Sequence, residues 1–280
     1  MTLATTRRRL DAELVRRRLV ASRTLAQAAI AAGLVTVDGA PAFKASTQVT
    51  AQQALVVSAA PRAYVSRGGD KLAHALEVFG VDPAGRHAMD AGVSTGGFTD
   101  CLLQQGAVRV LAYDVGYGQL HESLRTDPRV VLRERTNVRS LTVAEVPPPP
   151  PELLVADLSF ISLALVLPGL RPLLAAEAEA VVLVKPQFEA GRADVGAGGI
   201  VRDPAVWRRA LDRVVAAGAD VGWQLAGATA SPLLGSKGNV EFLLHLSSGP
   251  GDADPARVLE TAVAEGIERR RAATTTGRPT

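Results

Sequence analysis

Met89-Asp90-Ala91-Gly92-Val93-Ser94-Thr95-Gly96-Gly97-Phe98 carries the chain from an apolar strand through a Gly-rich turn into a helix. The run His87–Ala91 reads as a strand, and Phe98–Gln105 reads as the helix after it. Small residues at the joint let a backbone approach a ligand closely, and the helix N-terminus adds a partial positive field. Asp114 follows Gly92 by 22 residues and ends the next apolar strand, Val108–Asp114. An acidic side chain there can grip two ribose hydroxyls, so a nucleoside-containing cofactor is expected. A dinucleotide turn prefers G-x-G-x-x-G, whereas the order here is Gly92-Val93-Ser94-Thr95-Gly96-Gly97. The carboxylate of Asp90 beside the turn would repel a pyrophosphate and suits a cationic or zwitterionic ligand such as S-adenosylmethionine. Gly92, Ser94, Gly96, Gly97, Phe98, Asp90 and Asp114 are the candidate cofactor residues. Asn137, just past the short strand Val130–Leu132, is a further candidate for the adenine edge, with a plain turn-former as the alternative.

Outward from this turn, helices and apolar strands alternate from residue 66 on. A helix is expected over Lys71–Phe79. Leu153–Ala156 and Val181–Val184 are wholly apolar strands of the buried parallel type, Val206–Ala217 is a helix, and Glu241–Leu246 is a final strand. The alternation predicts an α/β, doubly wound sheet. Pro147–Pro151 reads as a surface spacer, and Pro255–Arg271 as a terminal helix.

Only four of the 31 basic residues are lysines: Lys44, Lys71, Lys185 and Lys237. Arg keeps its proton near neutrality, whereas a Lys can lose it in the right surroundings, so each Lys asks for a reason. Asp157 and Lys185 fall just past two parallel strands, at the edge where α/β ligands bind. Glu241 starts a strand that, if antiparallel, begins at that same edge. Lys71 is expected in the first turn of its helix, after Ser66-Arg67-Gly68-Gly69. Together the four would form a charged cluster at a cofactor mouth.

The first 60 residues carry seven Arg and one Lys against Asp11, Glu13 and Asp38, a local net of +5; the whole chain is +3, so the remainder is −2. Residues 8–32 read as two short helices with Ser22 as N-cap of the second, followed by strands at Leu34–Val37 and Ala54–Val57 and a hairpin turn at Asp38-Gly39. An Arg-bearing module on a near-neutral body points to a polyanion partner. Leu10-Asp11, Leu14-Val15, Ser22-Arg23, Ala26, Ile30, Gly33, Val35, Val37-Asp38-Gly39, Lys44 and Ser46 resemble the RNA-binding domain first recognised in ribosomal protein S-four. Arg7, Arg8, Arg9, Arg16, Arg17, Arg18, Arg23 and Lys44 are its candidate RNA contacts.

The catalytic half resembles the TlyA family. The residues that carry this are Ser66-Arg67-Gly68, Lys71-Leu72, Asp90-Ala91-Gly92, Ser94-Thr95-Gly96-Gly97-Phe98-Thr99, Asp114-Val115-Gly116-Tyr117-Gly118-Gln119-Leu120, Asp157-Leu158-Ser159-Phe160-Ile161-Ser162 and Val184-Lys185-Pro186-Gln187-Phe188-Glu189. The resemblance covers residues 8–247. It implies a small α+β RNA-binding domain joined to a Rossmann-like, FtsJ-like, S-adenosylmethionine-dependent methyltransferase domain. It also implies an rRNA cytidine 2′-O-methyltransferase, with rRNA or ribosomal subunits as partner. The FtsJ-like Lys-Asp-Lys-Glu tetrad maps onto Lys71, Asp157, Lys185 and Glu241, with Lys185 the candidate base. Tyr64 departs from the family, which favours Trp there.

The expected division is an RNA-binding domain over residues 1–60, a linker over 61–67, the methyltransferase domain over 68–250, and a terminal helix and tail over 251–280. One cysteine, Cys101, permits neither an internal disulfide nor a cysteine-based zinc site, and fits a reducing compartment. No metal site is expected. No signal core and no membrane-length apolar run is read, so a cytoplasmic, monomeric protein is expected. Two rivals from the family's naming and build are a membrane-active hemolysin and a non-catalytic assembly factor. The first needs a membrane-inserting segment and the second a broken tetrad. An NAD-dependent enzyme would leave the tetrad unexplained.

Overall fold

The computed structural model describes residues 7–20, 22–58, 63–249 and 254–276. It divides into two compact units, one up to Arg62 and one from Ala63 on. Pro61 and Arg62 of the expected linker, and the tail past Thr276, lie outside the described residues.

The first unit runs β1 (Arg8–Arg9), α1 (Leu10–Arg16), α2 (Arg23–Ala31), β2 (Val35–Val37), β3 (Ala40–Pro41), β4 (Gln48–Val49) and β5 (Leu55–Val57). Leu10 and Leu14 stand one helical turn apart, as do Ala26 and Ile30, and they meet over Val35, Val49 and Leu55. Ser22 caps α2 by accepting the Leu25 N–H at 3.3 Å. Asp38 and Gly39 both take positive φ, the geometry a two-residue hairpin needs, and β2 pairs with β3 through Val37 and Ala40. The two-residue strands β1, β3 and β4 were not expected from the sequence; none is long enough to show a period.

Two carboxylates hold most of this unit's described arginines. Asp11 and Glu13 are buried at 0% and 1% exposure. Asp11 accepts from Arg9 through two nitrogens at 3.1 Å each, from Arg23 at 2.9 Å, from Gln27 at 3.1 Å and from the Ala12 N–H at 2.9 Å. Glu13 accepts from Arg16 at 2.6 and 2.7 Å and from Arg17 at 2.8 Å. The guanidiniums of Arg9 and Arg23 hold Asp11 well below the usual carboxylate range, and those of Arg16 and Arg17 pull Glu13 down to about 2.

The second unit holds a seven-stranded sheet. Its strands are β6 (His87–Ala91), β7 (Arg109–Tyr113), β8 (Val130–Arg133), β9 (Leu153–Ala156), β10 (Glu179–Val184), β11 (Gln224–Ala230) and β12 (Phe242–Ser247), in the spatial order β11-β12-β10-β9-β6-β7-β8. Strands β6 to β10 are parallel, and β12 runs antiparallel to both β10 and β11. The helices are α3 (Arg67–Phe79), α4 (Gly97–Gln104), α5 (Glu122–Arg125), α6 (Leu163–Leu170), α7 (Pro186–Glu189), α8 (Pro204–Ala219) and α9 (Pro255–Thr276). One core layer, including Met89, Leu111, Leu154, Val182, Trp207 and Phe242, covers one sheet face; the other, including Leu72, Phe98, Val110, Val155 and Leu183, covers the second. This alternation along each strand makes β9 and β10 apolar at every position.

Three expectations are corrected here. Helix α3 starts at Arg67, four residues before the expected start, so Lys71 sits in its second turn. Strand β11 was missed, because Gln224-Leu225-Ala226-Gly227-Ala228-Thr229-Ala230 carries small residues and a bulge at its register shift. Its Gly227 lies against Phe79, where a Cβ would come within 2.9 Å of the ring. Helix α6 was missed because its apolar residues run without the polar gaps that mark a helical period. Among the described residues no helix is long and apolar enough to cross a membrane.

The depressed carboxylates make a pH prediction with a definite sign. A lowered native pKa means the unfolded chain binds more protons, so the stabilisation is present above about pH 4.5 and is lost as pH falls toward 2. Hydrogen-exchange protection of the α1 amides should fall across that window, and Glu13→Gln should flatten the dependence. An unchanged acid profile in Glu13→Gln would remove the Glu13–Arg16–Arg17 network as its cause.

Candidate active site

Strand register brings the charged residues together. Val184 of β10 pairs with Phe242 of β12, so the next residue of one, Lys185, lies across from the preceding residue of the other, Glu241. Ala156 of β9 pairs with both Val182 and Ala91, which puts Asp157 at the same edge, beside the Gly-rich turn. The first helix α3 then carries Lys71 to Glu241: Nζ donates to Oε2 at 2.5 Å, 170 residues away in sequence. Lys185 Nζ stands 2.6 Å from Asp157 Oδ1, outside hydrogen-bond angles, and donates to Ser159 Oγ at 2.8 Å. Side-chain exposure is 11% for Lys71, 3% for Glu241, 11% for Lys185 and 24% for Asp157. The tetrad thus exists as two lysine–carboxylate pairs in a poorly solvated setting, where Coulomb attraction is strong and loss of one partner strands a charge.

Two clefts meet at this point. One, of about 330 Å³, is lined by Gly92, Ser94, Tyr113, Asp114, Asp157 and Phe160, among others. The second, of about 500 Å³, contains Lys71, Lys185 and Glu241 together with Arg67, Ser236 and Lys237. Ser159 and Phe160 belong to both. Among the described residues the first cleft is lined by two carboxylates and no cationic side chain. That suits a ligand bearing positive charge and is unfavourable for a pyrophosphate.

The sequence-identified turn residues divide into cleft-facing and packing roles. Asp114 Oδ2 accepts the Ser94 N–H and Oδ1 the Gly116 N–H, each at 2.7 Å, so the carboxylate fixes the turn from the end of β7. Gly92 has φ +93°, and a Cβ there would come within 2.8 Å of the Asp157 carbonyl oxygen. Gly96 packs on Leu120 and Leu124, and Gly97 on Gly68 and Gly69 at the start of α3. Phe98 is buried in the core at 3% exposure. Asp90 is also buried, bonded to Thr99 Oγ1 at 2.6 Å, and lies outside the lining of the cleft. Burial, with Asp157 and Asp114 nearby, pushes its carboxyl up to about 7. Asn137 is exposed and accepts the Arg139 N–H at 3.1 Å, capping a short turn; its neighbours Thr136 and Val138 line the cleft.

On the first unit, Arg9, Arg16, Arg17 and Arg23 are engaged with Asp11 and Glu13, and Arg8 Nε stands 3.8 Å from Glu13. Arg17 also donates to the carbonyls of Gln53, Thr50 and Ala51, which makes it a structural cross-link. Arg7, Arg18 and Lys44 are exposed. Exposed faces of the paired arginines still present positive charge, since each carboxylate holds at least two of them.

Sequence reading missed several site residues. Phe160 is 91% exposed, has φ +64°, and tilts against Phe188 at 5.2 Å between ring centroids. A strained, exposed aromatic at a cleft junction has no sequence signal beyond its place in the motif. Gly235 is another: a Cβ there would overlap the Glu241 carboxylate, so only glycine leaves that side chain room to reach Lys71. Glu189 accepts from Ser162 Oγ at 2.5 Å and the Leu163 N–H at 2.7 Å, anchoring the segment after Lys185 to the start of α6.

Gly235→Ala should therefore push Glu241 off Lys71 with φ unstrained. A charged hydrogen bond is worth roughly 1.5–3 kcal/mol, about tenfold to a hundredfold in rate. Turnover should drop by that factor while the far-ultraviolet circular dichroism stays unchanged; full activity would show the pair is not needed.

Comparison with known proteins agrees with this geometry. The S4 domain family matches residues 8–55, and the FtsJ-like methyltransferase family matches residues 64–248. The 16S/23S rRNA (cytidine-2′-O)-methyltransferase TlyA of Mycobacterium tuberculosis is 52% identical over 262 residues, 93% of this chain and 97% of that protein. Hemolysin A of Brachyspira hyodysenteriae is 39% identical over 224 residues, 80% of this chain and 93% of that protein. A hemolysin-named structure from Streptococcus thermophilus superposes with a TM-score of 0.73 at 37% identity, covering 97% of this chain and all of that one. With its tetrad, its cofactor turn and an S4 domain ahead of them, the chain belongs to the FtsJ-like methyltransferase family.

Proposed function

We propose that this enzyme transfers a methyl group from S-adenosylmethionine to the 2′-hydroxyl of a cytidine ribose in ribosomal RNA. The observation that carries the reading is the contact between the two clefts. Asp157 lines the carboxylate-rich one, Lys185 lines the lysine-rich one, and the two side chains stand 2.6 Å apart. A cofactor and an acceptor hydroxyl placed in these clefts would meet there. Ribose hydroxyls suit the Asp114 side of the first cleft, and the absence of a lining cation among the described residues suits a sulfonium.

When bound, S-adenosylmethionine supplies an electrophilic methyl group. The ribose oxygen must approach in line with the bond that breaks, so positioning supplies much of the rate. Ser159 and Lys185 fix the oxygen from one side, and Lys71, held by Glu241, faces the same cleft. As the new oxygen–carbon bond forms, the hydroxyl proton passes to Lys185 Nζ, which must enter the step as the free amine. Asp157 then stabilises the ammonium so formed. The exposed Phe160 ring at the cleft junction offers a face for a nucleobase. The grouping of all four tetrad side chains within one chain supports a monomer, and an rRNA substrate supports a cytoplasmic location. Cytidine and the choice between 16S and 23S rRNA rest on the similarity to the mycobacterial relative. The S4-type unit would dock on structured RNA through its arginine-rich face, with the two units divided near residue 62.

Mapping 2′-O-methyl positions in rRNA with and without the protein tests the reading; no new position would overturn it. Within that assay Lys185→Ala should abolish transfer while cofactor and RNA affinities stay within a few fold. Lys185→Arg should be nearly as inactive, because a guanidinium with a pKa above ~12 cannot take the proton. Near-normal turnover in the Arg variant would leave Lys185 as a fixed positive charge that orients the hydroxyl.

Asp114→Ala should weaken S-adenosylmethionine binding at least about tenfold, the loss of one charged hydrogen bond. Calorimetric titration of the folded variant reads this directly, and unchanged affinity would remove Asp114 from the cofactor site.

A further inference from the structure

A third cavity, of about 410 Å³, lies between the start of α8 and the end of α9 and belongs to neither cleft of the active site. Arg202, Arg270 and Arg271 line it, over a floor that includes Pro204, Trp207 and Ile267. Trp207 is 1% exposed, so the floor is a packed apolar surface. Near such a floor a guanidinium is less screened than in open water and binds an anion more strongly.

On α8, by contrast, Arg208 pairs with Asp212 and Arg209 with Asp194. Among the described residues Arg202, Arg270 and Arg271 have no carboxylate within ion-pair distance. Arg270 Nη1 instead donates to the carbonyl oxygen of Arg202 at 2.6 Å, which brings the second cationic residue onto the backbone of the first. Arg270 and Arg271 stand before the last turn of α9, beyond the reach of its dipole, and Arg202 immediately precedes the N-cap of α8, Asp203, where a cation is opposed. Helix electrostatics therefore do not account for the cluster.

Its location follows from topology. Strand β12 leaves the tetrad edge at Glu241 and α9 returns along the sheet. Glu265 of α9 accepts from Thr229 and from the Ala230 N–H, and Ala230 pairs with Phe242 at that edge. Arg270 and Arg271 lie about one and a half turns further on. Gly199 lines the catalytic cleft, and Arg202 follows it by three residues, a span of at most about 11 Å. The join is rigid: the buried Asn239 side chain accepts the Val201 N–H at 2.9 Å and donates to the Gly199 and Ser236 carbonyls at 2.9 and 3.2 Å.

We propose that this arginine-lined groove is a second RNA-binding site, on the catalytic unit itself, that grips backbone phosphates of the substrate strand beside the nucleotide being methylated. The planar guanidinium fork matches phosphate oxygens two at a time. The inference rests on the rRNA reading above and goes beyond it, since that reading places only the reacting nucleotide on the catalytic unit and gives backbone docking to the S4-type unit.

The test uses the full-length double variant Arg202→Gln/Arg271→Gln, which keeps the Arg270 hydrogen bond because its acceptor is a backbone carbonyl. Binding to an rRNA fragment that the wild type methylates is measured across a salt series, alongside cofactor affinity and melting temperature. Affinity should fall about tenfold at low salt, and the slope of log K against log salt should shrink by on the order of 1.4–1.8, the loss of two phosphate contacts. Cofactor affinity and melting temperature should not change. Unchanged RNA affinity and slope in the folded variant, with the wild type methylating the fragment, would overturn the groove and leave the proposed function standing. A wild type that neither binds nor methylates any rRNA fragment would overturn both.

Discussion

The buried pair Lys71–Glu241 is the contact on which the catalytic unit turns. Removing two charges from water is costly, and only a close, well-directed partner offsets it. Here the pair spans 170 residues and joins the first helix of the unit to the start of an antiparallel strand. Once α3 is held there, its glycine-rich start must lie against the start of α4: a Cβ on Gly97 would come within 2.8 Å of the Gly69 nitrogen and 3.1 Å of the Gly68 Cα. The cofactor turn sits immediately before that contact. One ion pair therefore joins the lysine-lined cleft, which holds Lys71 and Glu241, to the helix start that packs beside the Gly-rich turn of the carboxylate-lined cleft.

The S4-type unit solves a different electrostatic problem. Its core is small, and Arg8, Arg9, Arg16, Arg17 and Arg23 crowd around two carboxylates. Asp11 and Glu13 are buried at the base of α1, and each gathers guanidiniums that would otherwise repel one another. Charge is thereby retained for a polyanion while the side chains are held in fixed positions. Ordering them in advance lowers the entropy lost when RNA is bound.

The tetrad could be read from the sequence because strand ends are legible in apolar runs. Leu153–Ala156 and the run ending at Val184 are followed at once by Asp157 and Lys185, and parallel strands must end at one edge. Glu241 needed only the antiparallel sense of its strand. Asp90 illustrates what could not be read. Sequence places it beside the turn, but its alternation on β6 points it inward to Thr99, so the carboxylates that line the cleft at the turn are Asp114 and Asp157. The argument for a cationic ligand holds with different residues carrying it. Gly96 and Gly97 read as ligand-approach glycines, whereas the contacts that forbid a Cβ come from Leu124 and the start of α3. Such contacts are long-range and leave no trace in local spacing. Likewise, an arginine's charge is visible in sequence, but whether a buried carboxylate already holds it is not.

Asp11 and Asp90 show why burial alone does not set the charge of a carboxyl. Both are 0% exposed. Asp11 meets two guanidiniums, an amide and a backbone N–H, all of which favour the anion, so it stays charged. Asp90 meets one hydroxyl, has an oxygen without a partner, and feels Asp157 and Asp114 through the turn, so its proton is held up to about 7. The linkage signs are opposite. Stabilisation from Asp11 is complete at neutral pH, whereas Asp90 favours the fold in its protonated form and opposes it increasingly as pH rises through about 7. A third full negative charge behind the cofactor turn would deepen the potential of the cleft but at the expense of the strand that carries it. Below about pH 7 the cleft's field is therefore that of Asp114 and Asp157, the two carboxylates that line it.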